Sequence, residues 1–254
     1  MQPLTLNWTQ PPVGPLAAPA AGVDLWLVDA GVDEAAESQA RAILSPDELA
    51  RYDRVRVIEK RQQAIAVRAA LRRILARYVA AEPHELVFAY GPQEKPSLAA
   101  PATSPRLQFN VSHAGAWGLA AITAGRPVGV DIELTRPLQN QASFARTILS
   151  PRELQQHESF AAGDHLAALL AAWTCKEAVL KAAGLGMAVA PAALELTPVD
   201  DKRCEAETCY DGESRRWQVV ALQAAADYAA AVAVPAHQPL GELRAFDCSQ
   251  SADR

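Results

Sequence analysis

The chain contains a repeated seven-residue segment, and this repeat constrains the fold more than any other feature. Residues 43–49 read ILSPDEL and residues 148–154 read ILSPREL, so six of seven positions match at an offset of 105 residues. At the same offset, an apolar strand pattern at 23–28 falls on a second one at 128–133. Agreement at this level rarely arises by chance. We therefore predict an internal duplication that gives two similar halves.

Each half also carries a long helix pattern. Apolar residues recur at steps of three and four over residues 59–79 and again over 166–183. A shorter helix is predicted to begin after Ser45, because Pro46 suits the first helical position and Glu48 completes a capping box. Further strand patterns are found at 86–90, 107–111, 117–122 and 228–234. The predicted fold is α+β: two similar α/β halves related by a pseudo-twofold axis, with mostly antiparallel sheets packed on long helices.

The repeat also suggests where to divide the chain. Residues 1–22 are rich in Pro and Ala without periodicity, which predicts an extended N-terminal arm. The N-terminal half is then 23–124, the C-terminal half 125–234, and the C-terminal tail 235–254. Because pockets tend to form where two bodies meet, we expect the functional site between the halves.

Three consecutive strand patterns predict a local arrangement. Residues 107–111 and 117–122 suit a hairpin, because Ser112 and His113 begin a connection of turn-forming composition. Since consecutive strands usually pair, the strand at 128–133 is predicted to continue an antiparallel meander. Ser112 and His113 would then lie at one end of a sheet whose neighbouring strand carries acidic residues. A histidine in a turn is more often a solvated surface residue than a functional one.

Composition limits the function classes. The formal net charge of −5 and the pI near 5.6 argue against nonspecific binding of nucleic acid, which requires a basic face. The four cysteines form no C-x-x-C pair, so we expect reduced thiols in a cytoplasmic protein. The sequence has no signal-peptide pattern and no uncharged apolar stretch of about 18 residues, so we expect neither secretion nor a membrane partner.

The strand at 128–133 combines an apolar face with an acidic one. Its side chains alternate, so Asp131 and Glu133 share one face, with their carboxylates roughly 6–7 Å apart along the strand. Each carboxylate raises the pKa of the other unless a cation lies between them, and Mg²⁺, which takes oxygen ligands, could supply that charge. The alternative is an edge strand with a solvated acidic face, and these residues alone do not decide between the two.

The second long helix places Trp173, Glu177 and Lys181 on one stripe. Glu177 and Lys181 could be an ordinary exposed pair worth a few tenths of a kcal/mol. The stripe is otherwise apolar, however, which predicts that it lies against the sheet, where charges need partners. Glu177 facing Asp131 and Glu133 would complete an oxygen-rich Mg²⁺ site, with Lys181 one turn away to hold an anion bound to the metal.

Four short segments occur in a fixed order: Lys95-Pro96, FNVSH at 109–113, GVDIE at 129–133 and WTCKEAVLK at 173–181. The last two resemble the G-V-D-x-E and W-x-x-K-E-x-x-x-K signature of the 4′-phosphopantetheinyl transferases, and the first two resemble further motifs of that family. Either short motif alone would be weak, but the ordered set is specific. The length and the duplicated halves resemble the family's long monomeric type, which activates peptide and polyketide synthases.

The resemblance implies a reaction and its participants. In this family the 4′-phosphopantetheine arm of coenzyme A is transferred to a serine of an acyl or peptidyl carrier protein, and adenosine 3′,5′-bisphosphate is released. Such carriers serve polyketide, nonribosomal peptide and fatty acid synthesis. A charged pyrophosphate must be attacked, so catalysis requires charge neutralisation and positioning. The implied protein is a monomer built as a pseudo-dimer, with coenzyme A as co-substrate and Mg²⁺ as cofactor.

The resemblance also implies roles for individual residues. Asp131, Glu133 and Glu177 would hold Mg²⁺, and Glu177, Asp131 and Lys181 would be the catalytic residues, with Glu177 as candidate base. The implied coenzyme A ligands are Lys95, Ser112, His113, Lys176 and Lys181, together with an arginine of the first long helix. The family commonly has that arginine where this chain has Gln63, so Arg61 or Arg68 could take its place.

Two questions stay open at the level of the sequence. Glu153 matches a family glutamate near the active site, but the parallel Glu48 suggests that both residues cap helices. The function also has alternatives: a non-catalytic module that binds coenzyme A or a carrier protein, or a Mg²⁺-dependent phosphohydrolase. The intact acidic triad favours the transferase, because a binding module does not need three mutually repelling carboxylates.

Overall fold

The computed structural model describes residues 2–31, 34–91, 93–101, 106–160, 163 and 165–249. The helices are α1 (Glu34–Ala42), α2 (Pro46–Tyr52), α3 (Ile58–Val79), α4 (Gln141–Ile148), α5 (Pro151–Glu158) and α6 (His165–Ala183). The strands are β1 (Leu4–Thr5), β2 (Val23–Asp29), β3 (Val87–Tyr90), β4 (Pro96–Ala100), β5 (Leu107–Ala114), β6 (Trp117–Ala124), β7 (Gly129–Leu134), β8 (Thr197–Pro198), β9 (Arg203–Tyr210), β10 (Glu213–Gln223), β11 (Tyr228–Pro235) and β12 (Leu243–Asp247). The predicted α+β class is confirmed.

One compact unit, here called the N-terminal unit, comprises residues 7–125 and the chain from 242 on. Its main sheet has the strand order β12-β2-β6-β5, in which β12 runs parallel to β2 and the other pairs are antiparallel. The hairpin of β3 and β4 forms a separate two-stranded sheet. The long helix α3 supplies Leu71 and Leu75 to a core that also contains Trp26 and Ile122 of the sheet.

The other unit, here called the C-terminal unit, comprises residues 126–241 and the first residues of the chain up to Leu6. Its sheet has the order β7-β11-β10-β9-β8, and β1 pairs in parallel with the end of β10. Helix α6 packs on one face of this sheet, where Val179 and Leu180 join Trp217 and Val219 in the core. Among the residues described, no helix combines the length and apolar character needed to cross a bilayer.

The predicted duplication is visible in the order of elements. The N-terminal unit runs β2, α1, α2, α3 and then the hairpin β5-β6, and the C-terminal unit runs β7, α4, α5, α6 and then the hairpin β10-β11. Pro46 begins α2 and Pro151 begins α5, at the offset of the sequence repeat. In each unit the first strand pairs antiparallel with the second strand of the later hairpin. The prediction of two similar α/β halves is therefore confirmed.

The predicted three-strand meander is wrong in its third strand. The hairpin of β5 and β6 forms as expected, but β7 pairs with β11 in the other sheet. The duplication explains the difference: β7 occupies the place in its unit that β2 occupies in the other, so its partner is the counterpart of β6. Ser112 and His113 consequently do not lie in the sheet that carries the acidic residues.

Several segments predicted to be irregular contain strands. The proline-rich segment 91–106, where the sequence shows no strand pattern, contains β4, and its Pro96 is tolerated because a hairpin edge needs no N–H donor there. The N-terminal arm contributes β1 and the C-terminal tail contributes β12. Residues 92, 102–105 and 250–254 of these segments lie outside the described residues. The domain boundaries at 22, 124 and 234 remain a prediction.

Candidate active site

Strand β7 lies directly against helix α6, and Gly129 makes this approach possible. A Cβ atom at Gly129 would overlap the carbonyl oxygen of Ala178 and the backbone nitrogen of Ala182. Because side chains alternate along a strand, Asp131 and Glu133 leave β7 on the same side as Gly129. The glycine of the GVDIE motif therefore brings both carboxylates to the surface of α6.

Asp131 is buried, and Lys181 of α6 compensates its charge. Only 3% of Asp131 is exposed, and the Lys181 Nζ atom donates to its Oδ1 atom at 2.6 Å. The Lys181 side chain keeps 27% of its surface exposed. A buried carboxylate requires such a partner, which ties this strand to this helix electrostatically as well as by packing.

Glu133 is oriented by the tryptophan of the helix motif. The Trp173 indole Nε1–H donates to Glu133 Oε1 at 3.0 Å, and the Trp173 ring packs edge-on against Phe144. Burial raises the pKa of Glu133 above its usual value, the hydrogen bond from Trp173 opposes that shift, and the negative charge of Asp131 adds to it. Trp173 thus stabilises the ionised form of a carboxylate that its surroundings disfavour.

Glu177 completes the acidic cluster. Burial raises its pKa, Lys181 one turn along the helix lowers it, and the charges of Asp131 and Glu133 raise it further. The structure therefore brings together the four residues that the sequence predicted for this face, Asp131, Glu133, Glu177 and Lys181. Carboxylates that disfavour one another's ionisation create a local demand for a cation.

The donor set is suited to a hard metal ion. Among the described residues, no three His, Cys, Asp or Glu side chains form a ready metal-binding group. The three carboxylates nevertheless offer the oxygen ligands that Mg²⁺ prefers, and a divalent cation would relieve the repulsion that raises the pKa of Glu133 and Glu177. In this structure the cation that contacts Asp131 is the ammonium group of Lys181.

Lys176 is not where a ligand could reach it. The side chain is 0% exposed, and its Nζ atom donates to Ile148 O at 2.8 Å, Glu153 Oε2 at 2.5 Å and Pro191 O at 3.1 Å. An ammonium group has three donors, and all three are used inside the C-terminal unit. We therefore replace the predicted coenzyme A contact of Lys176 with a structural role.

Glu153 is the partner of Lys176 and also a helix cap. Its carboxylate accepts hydrogen bonds from the backbone N–H groups of Ser150 at 2.8 Å and Leu196 at 2.9 Å. In the other half, Glu48 likewise accepts from its cap residue, Ser45 N, at 3.0 Å. The parallel geometry decides the question that the sequence left open, because both glutamates cap a helix and bind a cation of the following long helix.

The two arginine candidates of α3 differ in their surroundings. Arg68 is 5% exposed, and its guanidinium donates to Glu48 Oε1 at 2.5 Å and to the Tyr90 hydroxyl at 2.9 Å. Arg61 is partly exposed, and its Nε atom is buried without a hydrogen-bond partner among the described residues. Arg61, whose side chain is partly exposed, is therefore the candidate that a phosphate could reach.

The remaining candidates lie on two hairpins of the N-terminal unit. Lys95 immediately precedes β4 and is partly buried, and burial lowers its pKa to about 8. Ser112 and His113 lie near the end of β5, just before the turn into β6, with Ser112 partly buried and His113 exposed. All three lie in the unit that lacks the acidic cluster.

Comparisons with known proteins point to one family for both halves of the chain. The model of the 4′-phosphopantetheinyl transferase superfamily matches residues 127–233, which include the acidic cluster. The model described as "4′-phosphopantetheinyl transferase, N-terminal" matches residues 33–125.

Individual relatives carry the same description. The 4′-phosphopantetheinyl transferase HetI of Nostoc is 34% identical over 184 residues, which cover 72% of this chain and 78% of HetI. The Synechocystis protein slr0495 is 37% identical over 148 residues, 58% of this chain and 59% of that protein. The 4′-phosphopantetheinyl transferase of Bacillus subtilis is 29% identical over 102 residues, 40% of this chain and 44% of that enzyme. The match thus extends over less than two thirds of slr0495 but over most of HetI.

Proposed function

The chain belongs to the 4′-phosphopantetheinyl transferase superfamily, and from this premise we propose that it transfers the 4′-phosphopantetheine arm of coenzyme A to a serine of an acyl or peptidyl carrier protein. Adenosine 3′,5′-bisphosphate is the second product. The observation that supports this proposal best is the acidic cluster of β7 and α6, in which buried Asp131 pairs with Lys181 beside Glu133 and Glu177.

The reaction exchanges the phosphoanhydride bond of the β-phosphorus for a phosphodiester bond to the serine. The serine oxygen forms a bond to that phosphorus, the bond to the bridging oxygen of the pyrophosphate breaks, and the bridging oxygen leaves with adenosine 3′,5′-bisphosphate. The serine proton must be accepted. Glu177 is our candidate base, since it belongs to the acidic cluster, and burial raises its pKa and so makes it a better proton acceptor than an exposed carboxylate.

The charge of the pyrophosphate has to be neutralised during this exchange. Asp131, Glu133 and Glu177 would hold Mg²⁺, which supplies positive charge to the phosphate oxygens when it is bound. Lys181 would contact a phosphate oxygen, for which its partly exposed ammonium is suited. Trp173 would keep Glu133 in position through its indole N–H.

Binding of coenzyme A is assigned to the N-terminal unit. Lys95, Ser112 and His113 would contact its phosphates, and the partly exposed Arg61 would contact the 3′-phosphate. Lys176 is left out of this set, because its donors are all used inside the protein. We expect a cytoplasmic enzyme that acts as a monomer.

The direct test is a carrier-modification assay. The protein is incubated with coenzyme A, Mg²⁺ and unmodified carrier proteins from fatty acid, polyketide and nonribosomal peptide synthesis, and intact carrier masses are measured. We expect the mass of at least one carrier to increase by one phosphopantetheine arm, with no increase when its acceptor serine is replaced by alanine. Unchanged carriers throughout the panel would refute the transferase assignment.

A second candidate function is a module that binds coenzyme A without turnover. One observation favours it: Lys181 contacts Asp131 directly, and the described residues contain no ready metal-binding group. Calorimetric binding of coenzyme A without any carrier modification would support this module. Release of adenosine 3′,5′-bisphosphate from coenzyme A without a carrier would instead indicate a phosphohydrolase.

A further inference from the structure

The β3-β4 hairpin needs support from the rest of its unit. Its two strands pair only with each other, and a two-stranded sheet is marginally stable in water. Leu98 of β4 is buried in the core, and Phe88 of β3 packs edge-on against Phe109 at a centroid distance of 5.9 Å. These apolar contacts attach the body of the hairpin and leave the turn beyond Tyr90 to be held by other means.

Arg68 of α3 contacts the hairpin at two alternate positions of β3, Phe88 and Tyr90. Its guanidinium carbon lies 3.8 Å from the centroid of the Phe88 ring, and its NH2 group donates to the Tyr90 hydroxyl at 2.9 Å. Glu48 fixes the other edge of the guanidinium by accepting from Nε. Because the planar guanidinium has a hydrogen-bond partner on two sides, its orientation is fixed. It can therefore fix the position of the Tyr90 hydroxyl.

The chain that enters the hairpin is held by the neighbouring arginine. Arg72 donates from Nε to the second oxygen of Glu48 at 2.8 Å, and from NH1 to the carbonyl groups of Pro83 at 2.8 Å and Leu86 at 3.0 Å. Arg72 is 1% exposed. One buried carboxylate, Glu48, thus orients two arginines. Arg72 binds the chain just before β3, and Arg68 binds Tyr90 at the end of β3.

Lys95 lies at the turn end of the hairpin, directly before the strand partner of Tyr90. Tyr90 is paired with Pro96, and the backbone N–H of Gly91 donates to the Lys95 carbonyl at 3.1 Å. On the outer side, Arg51 lies 5.2 Å from the centroid of the Tyr90 ring. The position of Tyr90 therefore determines where the backbone of Lys95 lies.

We propose that Arg68 is a positioning residue, which through Tyr90 fixes the hairpin turn so that Lys95 meets a phosphate of coenzyme A. This inference rests on the proposed function and gives a role to the arginine that the proposed ligand set leaves out, because Arg68 acts from inside the unit and does not itself contact the ligand. The burial of Arg68 and its bonds to Glu48 and Tyr90 carry the argument.

Tyr90→Phe is the sharpest single test, because it removes one hydroxyl and keeps the ring. We expect KM and Kd for coenzyme A to rise about three- to tenfold, the size of effect that one lost hydrogen bond of ordinary strength produces, with kcat at saturating coenzyme A unchanged. Tyr210→Phe is the matched control, since Tyr210 is an exposed tyrosine of the other unit, and we expect no change in either constant. Arg68→Lys, which keeps the charge and loses the planar fork, should behave like Tyr90→Phe.

The double variants separate positioning from direct contact. If Arg68 acts through Lys95, then Tyr90→Phe and Arg68→Lys should have no further effect on Kd in a Lys95→Ala background. An Arg68→Lys effect of equal size with and without Lys95 would overturn the proposal and make Arg68 a phosphate ligand. Circular dichroism melts of each variant identify any that fail to fold.

Calorimetry keeps this inference distinct from the proposed function. It measures coenzyme A binding without requiring transfer to a carrier. Normal transfer by the wild-type protein together with additive variant effects would refute the positioning role alone. A wild-type protein that binds no coenzyme A at all would refute the proposed function and this inference with it.

Discussion

A buried carboxylate is stable only where another group compensates its charge, and Asp131 has Lys181 for this purpose. The same arrangement gives Asp131 a chemical use, because its charge raises the pKa of Glu133 and of Glu177. At the scale of single residues, the site is a set of acids held close together by a strand and a helix. The repulsion between these carboxylates would favour binding of a cation, because the cation neutralises their charge.

Asp131→Asn tests that interpretation with almost no change in shape. We expect carrier modification to fall by at least about 100-fold, because one metal ligand and one fixed charge are lost. The melting temperature should change little, since Lys181 is partly exposed and its charge can be solvated. Mass spectrometry of the carrier over a Mg²⁺ titration measures the effect. Turnover at the wild-type level would remove Asp131 from the proposed metal site.

Lys95 predicts a pH dependence of coenzyme A binding. Burial lowers the pKa of Lys95 to about 8, so in the free enzyme its positive charge is lost as the pH rises through that value. We expect Kd for coenzyme A to be lowest below pH 8 and to increase between about pH 8 and 10, before an ordinary lysine would deprotonate. Calorimetry at several pH values measures this. Lys95→Arg, which stays charged, should remove the increase; an unchanged pH profile in that variant would contradict the assignment.

Sequence patterns identified the acidic residues better than they identified the cations. Asp131, Glu133, Glu177 and Lys181 were predicted together because strand and helix periodicity put them on facing surfaces. Lys176 was misassigned because it stands next to Glu177 in the motif, although adjacent helical residues point in directions about 100° apart. Its partner Glu153 was predicted to be either a residue near the active site or a helix cap. The pairing of a cap residue with a buried cation requires the tertiary contact to be known.

At the scale of elements, the contact of β7 with α6 depends on one missing side chain. Gly129→Ala would force its Cβ atom into backbone atoms of α6, which have no rotamer by which to move away. We expect a destabilisation of about 1–3 kcal/mol or more, as for other overpacked interiors. Gly163→Ala is the control, because a Cβ there meets no atom within 4 Å. Thermal unfolding of both variants provides the comparison, and equal melting temperatures would show that the strand can move off the helix without cost.

The α5-α6 pair depends on a buried ion pair. Lys176→Met should destabilise the protein by about 3–5 kcal/mol, because Glu153 would keep its charge in a buried place without a cation. Arg152→Met is the control, since its pair with Glu195 is exposed and should contribute little. Urea unfolding measures both. If Lys176→Met left stability unchanged and raised KM for coenzyme A, the structural role assigned here would be wrong and the ligand role restored.

Helices and strands were predictable where a local pattern was strong, but the pairing of strands was not. The helices α3 and α6 followed from apolar periodicity, and the capping boxes placed the starts of α2 and α5. The partner of β7 was missed because the expectation that consecutive strands pair ignored what the duplication implied. Strand β4 was missed because the prolines in and around it indicate a loop, although a hairpin edge tolerates Pro96.

At the scale of the whole molecule, the last strand of the chain completes the main sheet of the N-terminal unit. Strand β12 pairs in parallel with β2, and Arg244 donates to both carboxylate oxygens of the fully buried Asp24. The Phe246 ring packs against Trp26 at a centroid distance of 4.6 Å. This role could not be predicted from local patterns, because a parallel partner more than two hundred residues away leaves no local pattern in so short a strand.

Ending the chain at Gly241 removes this strand and tests whether the tail is part of the fold. The loss of Phe246 alone should cost about 3–5 kcal/mol, as for other large core residues replaced by nothing larger than a methyl group. Since 1 kcal/mol corresponds to about 2–4 °C for a protein of this size, we expect the melting temperature to fall by on the order of 10 °C or more. Phe246→Leu in the full-length chain is the control, and it should lower the melting temperature far less, because it keeps β12 and most of the apolar volume. If the shortened chain melted at the wild-type temperature, β2 would be shown not to need a partner on that edge, and the tail would be a separate appendage.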